Sequence, residues 1–560
     1  MAKLKVFQNI SKNKNNTVEN LIKKVLMAEK NNFEDEVLKI LEKLYSIDSK
    51  NIWVMGKLIL KYGELSEYEK VIPIAKKVIE ILPSNEQYFG LLGEALIKTD
   101  KLDPAEFLID EMERRFQKSR AILILKSNLA SAKQDFDLAL KYALEMVSFD
   151  PSWPGAYNNL GSSLCDKGMY KEGAIAFETC LNLDPQSIDA RSNLAFAYAK
   201  DGNHEQAIEV YEDALLKCQA NPSSKIEPIK FALSFEYLSV GNLEKGWRYY
   251  DSGFSKDVRA FARRQPERKF KCKFWRGEPL RNKRLLVWRE QGVGDEFMFM
   301  SVINELMALE HERVIIECDV RIISIVQRSF PKALVRAQSF DLNTLMGVED
   351  YDYHIPIGSL VSLFRRNLDD FKRAQPYIVP NEKDVHEVVE HFSKNFPKKL
   401  NVGLSWRSGV LSTIRNQHYT NLSDWTELLI HPEINIINLQ YGDAEAEIKA
   451  AEQALNIKIH RWTDLDLKND FEGTFALLKS LDVVVTVGTA VAAMAPAVGV
   501  PTILLGQLGW DSLGTGGWPW LPNVRYHATS VGRPVAELIP ECVAEIGHMI
   551  EKKAENKFIV

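Results

Sequence analysis

The sequence predicts an α + α/β protein: an α-helical repeat array in the N-terminal half, followed by two doubly wound, parallel α/β domains. In the first half, similar segments recur at a fixed spacing. From Arg284 onward, short continuous apolar runs alternate with segments of helical character. The length of 560 residues is too great for one ordinary domain, so two to four domains are expected.

The repeats are defined by like residues that are 34 positions apart. Three such pairs come from neighbouring segments: Asn159 and Asn193, Gly168 and Gly202, Phe177 and Tyr211. A period of 34 is that of the tetratricopeptide repeat, in which small residues let two helices approach and proline closes the unit. We expect about five repeats between residues 20 and 220 that bind a peptide or protein segment, and a further helical pair from Phe231.

Composition excludes several classes of protein. A net charge of −5 gives no argument for a nucleic-acid partner, and six scattered cysteines without a C-x-x-C pair predict reduced thiols rather than disulfides or zinc. No His/Cys cluster has metal-ligand spacing, so no metal is predicted. The polar start has no signal-peptide pattern and no apolar run approaches membrane-spanning length, so we expect a cytoplasmic protein without a membrane span.

The segment 256–284 is dense in lysine and arginine. It is interpreted as a solvated hinge whose arginines pack against acidic repeat helices, in preference to a patch for an anionic surface. The predicted domains are residues 1–222 (repeats), 223–270 (final helical pair and hinge), 271–395 (first α/β domain) and 396–560 (second α/β domain).

The second half contains two series of candidate strands that are buried on both faces, as in parallel sheets. They begin near Arg284, Arg313, Ala333, Tyr353, Asn401, Ile434, Ile457, Asp482, Pro501 and Val524. Ligands of such sheets bind beyond the carboxyl ends of the strands. Three loops at such ends stand out: WREQGVGDE, WRSGVLSTIRNQHYTNLSDW and GTAVAAMAPAVG.

The turn EQGVGDE matches neither common phosphate fingerprint, because Phe297 occupies the third glycine position of G-x-G-x-x-G and no Lys-Ser/Thr pair follows. Gly292 and Gly294 permit a tight turn and close backbone approach. The acids at the turn repel phosphate, but one of them can accept a proton from a hydroxyl group. The alternatives are that Asp295 caps the following helix and that Glu290 pairs with a nearby arginine such as Arg289.

The loop Gly488-Thr489-Ala490 lies between a buried strand and a helix of small residues. A helix start there offers unpaired N–H groups and the positive end of a dipole to an anion. A guanidinium suits phosphate oxygens as well, and Arg407 and Arg415 both lie in the second loop. Simple helix capping is the alternative for Thr489.

The run WRSG…HYTNLSDW…NLQYGD…DLDLKND…GTAVAA, together with the repeats and EQGVGDE, resembles bacterial tetratricopeptide-repeat glycosyltransferases implicated in flagellin glycosylation. These are similar to heptosyltransferases and, more distantly, to protein O-GlcNAc transferases. The resemblance implies a GT-B unit of two Rossmann-like domains and metal-independent, inverting transfer to Ser or Thr of a repeat-bound protein, flagellin being expected. It implies no cofactor, only a nucleotide-sugar substrate.

The resemblance also implies roles for particular residues. Asp295 is expected as the catalytic base, with Glu290 as second choice. The expected donor contacts are Arg407, Arg415, His418, Tyr419, Gln440, Gly488, Thr489 and Ala490.

Two departures from that family bear on the donor. Related sequences have aspartate at the position of Gly488 and histidine at that of Ala493, and Pro496 falls inside the predicted helix. Loss of an aspartate removes repulsion toward a sugar acid, so a nonulosonic acid carried by CMP is expected rather than a UDP-linked hexose. The alternatives are a non-catalytic scaffold with a degenerate transferase half, and a transferase acting on lipid or polysaccharide.

Two further features have a structural interpretation. Trp510, Trp518 and Trp520 are expected to pack a domain edge rather than flank a nucleotide base. The D-x-D sequence of Asp464 and Asp466 is not interpreted as a metal site.

Overall fold

The computed structural model describes residues 18–31, 33–220, 225–258, 262–408, 419–462, 464–530 and 533–556. The chain forms two compact units, Met1–Ala197 and Tyr198–Val560. A helical repeat array is followed by parallel-sheet α/β structure, which confirms the predicted fold class. Within the described ranges, no helix is both long and apolar enough to cross a bilayer.

The N-terminal unit is built from helices connected by short turns. They are α1 (18–30), α2 (Glu34–Ile47), α3 (Ile52–Glu64), α4 (Tyr68–Ile81), α5 (Glu86–Lys98), α6 (Leu102–Arg115), α7 (Arg120–Ala132), α8 (Phe136–Phe149), α9 (Pro154–Asp166), α10 (Tyr170–Leu183) and α11 (Ile188–Lys200), the last of which ends beyond the unit boundary. Small residues pack where the 34-residue period predicts them. A Cβ on Gly161 would lie 2.6 Å from the Phe177 ring, and one on Gly93 would lie 2.6 Å from Leu125.

The C-terminal unit begins with helices and continues with two sheets. Its helices are α12 (His204–Ala220), α13 (Ile226–Ser239), α14 (Leu243–Tyr250), α15 (Val293–Met300), α16 (Ile303–Met307), α17 (Ile323–Ser329), α18 (Ile357–Phe364), α19 (Leu368–Phe371), α20 (Glu382–Asn395), α21 (Thr426–Leu429), α22 (Glu445–Leu455), α23 (Phe471–Lys479), α24 (Ala490–Ala497) and α25 (Ile539–Asn556). Its strands are β1 (Lys273–Phe274), β2 (Arg284–Trp288), β3 (Arg313–Cys318), β4 (Leu334–Ala337), β5 (Tyr353–Pro356), β6 (Leu400–Ser405), β7 (Ile434–Asn438), β8 (Ile459–His460), β9 (Val483–Val487), β10 (Thr502–Gln507) and β11 (Val524–Thr529).

Both sheets pair their strands in parallel. The sheet of the first lobe has the order β1-β5-β2-β3-β4, and that of the second lobe has the order β11-β10-β9-β6-β7-β8. The strand order therefore reverses between β2 and β5 in the first lobe and between β6 and β9 in the second. Such switch points open a crevice at the carboxyl ends of the strands, and the three loops singled out above follow β2, β6 and β9.

The final helical pair, α13 and α14, belongs to the C-terminal unit. Its residues Phe231, Trp247 and Tyr250 share one hydrophobic cluster with β2 and α15, and the Trp247 indole N–H donates to the Arg365 carbonyl at 3.0 Å. The compact units divide at residue 197, so α12 also falls in the second unit although the repeat period includes it.

In the described part of the basic segment, the buried arginine side chains pack against the first lobe and not against repeat helices. Arg264 forms buried ion pairs with Glu290 and Asp251, while Arg268 pairs with Glu317 of β3. The two-residue strand β1, which the sequence did not indicate, adds the same segment to the edge of the first sheet. The arginines were therefore wrongly assigned to the repeats, because the acids they neutralise lie mainly at strand ends of the first lobe.

The two lobes meet at α15 and α24. A Cβ on Gly294 would lie 3.2 Å from the Ala490 Cα, so only glycine fits the observed approach of these two helix starts without displacement. Farther along α15, the Phe297 ring packs edge-on against Phe475 at a centroid distance of 5.1 Å.

We expect Gly294→Val to lower the free energy of unfolding by about 1–3 kcal/mol, because the added methyl groups overpack the contact between lobes. Urea unfolding of the full chain, followed by tryptophan fluorescence, measures this. The signal reports mainly on the C-terminal unit, since all but two (Trp53 and Trp153) of the 11 tryptophans lie there.

Gly488→Ala is the matched control for this prediction, because a Cβ at that glycine would meet nothing within 4 Å. Equal stability of the two variants would contradict close packing at Gly294.

Candidate active site

The turn after β2 carries three acids in three different environments. Gln291 adopts a left-handed conformation with φ of 59°, and Gly292 is the N-cap of α15. Glu290 and Glu296 are buried, whereas Asp295 is half-buried. Environment rather than residue type therefore distinguishes the three carboxylates.

Glu290 is held by a buried arginine. Its Oε2 accepts from Arg264 Nε at 2.6 Å, and its Oε1 accepts from Arg264 Nη2 and from the Gly358 N–H, the latter at 2.9 Å. Because both carboxylate oxygens are engaged and buried, the position argues against Glu290 as a proton acceptor. Glu290 does pair with an arginine, which was the alternative to a catalytic role. The partner is Arg264 and not the adjacent Arg289.

Asp295 lies in the first turn of α15, where its Oδ2 accepts from the Gly292 N–H at 3.2 Å. It therefore does support the helix start, although from the third helical position rather than as the N-cap. Burial raises the pKa of Tyr250 and that of Asp511, and the charge of Asp295 contributes to both shifts. Of the three acids of the turn, it is the one with partial access to solvent.

Glu296 joins a charged network at the carboxyl ends of β2 and β3. Its Oε2 lies 3.1 Å from Arg289 Nε, its Oε1 accepts from the Asp319 N–H at 3.1 Å, and Arg289 also reaches Asp319 at 3.1 Å. Burial raises the pKa of Glu296 to about 7, an effect that Arg289 opposes. Hydrogen bonds from Arg321 lower the pKa of Asp319 to about 2.

The network extends to the second lobe. Arg321 Nη1 donates to the Lys468 carbonyl at 2.9 Å and to Asn469 Oδ1 at 3.3 Å. Sequence reasoning missed this link, because the acids and arginines involved follow different strands and meet only in the folded sheet.

The loop after β9 presents an open helix start. Gly488 is exposed, and Thr489 is the N-cap of α24, but its side chain makes no capping hydrogen bond. The Thr489 hydroxyl lies 3.2 Å from that of Thr486 instead. Simple capping by Thr489 is therefore wrong, and the first N–H groups of α24 have no side-chain acceptor from their own N-cap. Ala490 is the residue against which Gly294 packs.

Arg407 and Gln440 organise the end of β6. Gln440 is buried and its Oε1 accepts from the N–H groups of Trp406 and Arg407 at 3.1 and 3.0 Å. The Arg407 guanidinium donates to the Asp443 carbonyl at 2.9 Å and pairs with Glu447 at 3.2 Å. The geometry gives Gln440 a structural role, and an anion would have to compete with Glu447 for Arg407.

Of the remaining predicted donor contacts in the loop after β6, the structure describes only Tyr419. Arg415 and His418 lie outside the described residues. Tyr419, which follows them, is half-buried and packs on the core of the second lobe.

The tryptophan loop packs a domain edge, as expected. Trp518 and Trp520 are buried, and the Trp510 ring contacts Phe235 of α13 at a centroid distance of 5.8 Å.

Cavities and metal-binding groups do not add to the predicted site. A cavity of about 610 Å³ is lined by residues 240–244 and 366–369, and contains none of the predicted residues. Among the described side chains, no group of three or more His, Cys, Asp or Glu is arranged to hold a metal ion.

Comparisons with known proteins agree with the repeat architecture. Tetratricopeptide repeat models match residues 154–187 and 176–209. Protein FlbA of Caulobacter vibrioides is 29% identical over 418 residues, 72% of this chain and 69% of that protein. Anaphase-promoting complex subunit 3 of Schizosaccharomyces pombe is 22% identical over 208 residues, 37% of this chain and 30% of that one. The repeats indicate a protein-binding scaffold.

Among solved structures, a tetratricopeptide repeat protein from Parabacteroides merdae has a TM-score of 0.35 and 17% identity to this chain. The match covers 39% of this chain and 82% of that one.

We expect Glu290→Gln to lower the free energy of unfolding by about 3–5 kcal/mol, because the variant removes the fully buried one of the two carboxylates that neutralise Arg264 and leaves only the partly exposed Asp251. Urea unfolding followed by tryptophan fluorescence measures this. Glu310→Gln is the control, since Glu310 and its partner Arg281 have side chains that are 73% and 74% exposed. Wild-type stability in Glu290→Gln would contradict the structural role.

We expect Glu296 to make stability fall as the pH rises from about 4.5 to about 7. The pKa is raised from 4.5 to about 7 in the folded protein, so its contribution is full below the lower value and is lost as pH passes the higher one. The loss amounts to about 3 kcal/mol. Urea unfolding between pH 4.5 and 8 should give a smaller slope for Glu296→Gln than for Glu310→Gln. Identical slopes would contradict the assignment.

Proposed function

We propose that the protein is an inverting glycosyltransferase of the GT-B type that moves a sugar from a nucleotide to Ser or Thr of a protein bound by the repeats. The observation that carries the proposal is the meeting of the two switch-point loops: the Asp295 turn lies against the start of α24, with Gly294 packed on Ala490. An acid that can accept a proton thus adjoins a helix start that favours an anion.

In the proposed reaction, Asp295 acts as general base. Its carboxylate takes the proton of the acceptor hydroxyl, and the oxygen attacks the anomeric carbon of the donor sugar. The bond between that carbon and the phosphate oxygen breaks, and the nucleotide leaves with the electron pair. Attack from the side opposite to the leaving group inverts the anomeric centre.

The leaving phosphate is proposed to lie at the start of α24. The first N–H groups of this helix and its dipole favour an anion by about 0.3–1 kcal/mol, or about 2 kcal/mol when partly buried. Thr489 brings a hydroxyl to the same position. A cation would be needed in addition to the helix start to hold the phosphate. Of the two arginines predicted for this role, Arg407 is the one that the structure describes.

The donor is proposed to be a CMP-linked nonulosonic acid. A side chain at residue 488 would extend into open space, and glycine leaves that space without the negative charge that an aspartate would place there. A donor sugar bearing a carboxylate is therefore not repelled. A CMP-linked acid and UDP-linked hexoses, assayed side by side for nucleotide release, distinguish the donors. Turnover of the hexoses alone would exclude the sugar acid.

The acceptor is proposed to be flagellin, on the basis of the family resemblance of the loops. Tethering an acceptor segment by the repeats raises its effective concentration near the turn, which converts a bimolecular encounter into a local one.

We expect Asp295→Asn to lower the rate of transfer by about 10²- to 10⁴-fold, the usual contribution of a general base. Asparagine retains an oxygen that accepts from the Gly292 N–H, so the helix start is preserved. The intact mass of flagellin, measured over time with purified protein and CMP-linked sugar acid, gives the rate.

Asp464→Asn, at an exposed position of the second lobe, is the control for Asp295→Asn and should keep wild-type transfer. Equal transfer by Asp295→Asn and the wild type would contradict the assignment of the base.

The second candidate function is a non-catalytic scaffold. It is favoured by the engagement of Arg407 with Glu447, which leaves the described part of the cleft without a free cation at the end of β6. A wild-type protein that binds flagellin but releases no nucleotide from either donor class would support the scaffold. The same assay with lipid and polysaccharide acceptors tests the third alternative, a transferase that acts on lipid or polysaccharide.

A further inference from the structure

We infer that Arg328 of α17 locks the interlobe linker, which is the segment 372–381 between α19 of the first lobe and α20. Helix α20 packs on the second lobe, where its Phe392 ring lies 6.0 Å from the ring of Trp462, just after β8. The linker is therefore the stretch of chain about which the lobes would rotate. The inference goes beyond the proposed function, because it concerns the movement of the lobes and not the transfer of a sugar.

The end of α17 binds the linker from the first lobe. The Val379 N–H donates to Ser329 Oγ at 2.9 Å, and the Val379 carbonyl accepts from Arg328 Nη1 at 3.2 Å. The ring of Phe330, which follows α17, stacks on that of Tyr377 at a centroid distance of 6.1 Å. Both backbone polar groups of one linker residue are thus held by the same helix end.

The linker is also bonded to the second lobe. The N–H groups of Tyr377 and Ile378 both donate to the carbonyl of Ala497, the last residue of α24, at 2.9 Å. Tyr377 is buried, and its hydroxyl donates to the Phe297 carbonyl of α15. The linker therefore fastens the C-terminal end of the helix whose start is proposed to hold the donor phosphate.

Arg328 adds a direct bond between the lobes. Its Nη2 donates to Glu472 Oε1 at 2.8 Å and its Nη1 donates to Oε2 at 2.9 Å, which is the paired geometry of a strong guanidinium–carboxylate contact. Glu472 lies in the first turn of α23, where a negative charge also suits the helix dipole. One side chain of the first lobe thus holds the linker and the second lobe at once. A lysine lacks the planar fork that these bonds require.

A second arginine binds the same stretch of the second lobe. Arg321, which precedes α17, donates from Nη1 to the Lys468 carbonyl at 2.9 Å, and its guanidinium lies 5.1 Å from the centroid of the Phe471 ring. Lys468 and Phe471 come just before Glu472 in the sequence, so the segments 321–328 and 468–472 are joined at both of their ends. The lobes cannot separate on this side without breaking these contacts.

These contacts couple rotation of the lobes to release of the linker. The amides of residues 377–379 are bonded to acceptors on both lobes, so they lose those acceptors when the linker rotates. Pro376 and Pro380 flank them and have no amide N–H group. Exchange of these three amides with solvent is therefore a direct measure of linker release.

Hydrogen–deuterium exchange of the full chain, followed by mass spectrometry of peptides that cover residues 376–380, tests the inference. We expect Arg328→Ala to accelerate exchange of the three amides by at least about tenfold, since it removes the Glu472 pair and the bond to Val379 together. The central strands β3 and β9 should exchange as in the wild type. Arg281→Ala is the control, because it breaks an ion pair within the first lobe, that with Glu310, and should leave the linker unchanged.

Unchanged exchange of the linker amides in Arg328→Ala would overturn the inference. An equal acceleration in β3 and β9 would overturn it as well, because it would show a loss of overall stability instead of a local release. Arg328→Lys retains the charge but not the fork, so it should also release the linker, and wild-type exchange in this variant would count against the lock. None of these measurements requires transfer, so the inference and the proposed function can fail separately.

Discussion

The buried ion pair between Arg264 and Glu290 is the interaction on which the geometry of the site depends. The Arg264 guanidinium lies 4.0 and 4.2 Å from the ring centroids of Tyr250 and Phe254, and also reaches Asp251 and Ser359. Burial of two charges is costly unless their geometry and hydrogen bonds compensate. Here one arginine joins the end of α14, the turn after β2 and the start of α18, so the turn cannot shift without breaking the pair.

This constraint explains why three acids within seven residues have different roles. Glu290 is committed to Arg264, and Glu296 is buried in the network of Arg289 and Asp319 that continues to the second lobe. Asp295 lies between them in sequence, but on the solvent side of the helix start. Because two acids fix the turn, the third is presented by a backbone that is held on both sides, as its proposed role of base requires.

The fold could be predicted largely from local patterns, whereas the site could not. Continuous apolar runs located ten of the strands, since strands buried on both faces leave that pattern in the sequence. β1 escaped notice because Lys273 and Phe274 lie in the basic segment, where no apolar run marks a strand. The partners of Glu290 and Arg407 were not predictable either, because Arg264 and Glu447 approach them only through sheet topology.

The contact between Gly294 and Ala490 also limits where the proposed chemistry can take place. A Cβ on Gly294 would lie 3.2 Å from the Ala490 Cα, so substrates of the proposed reaction have no space between the starts of α15 and α24. Gly292 and Gly488 are exposed and Asp295 is half-buried, so the proposed reaction is expected on the solvent side of this contact.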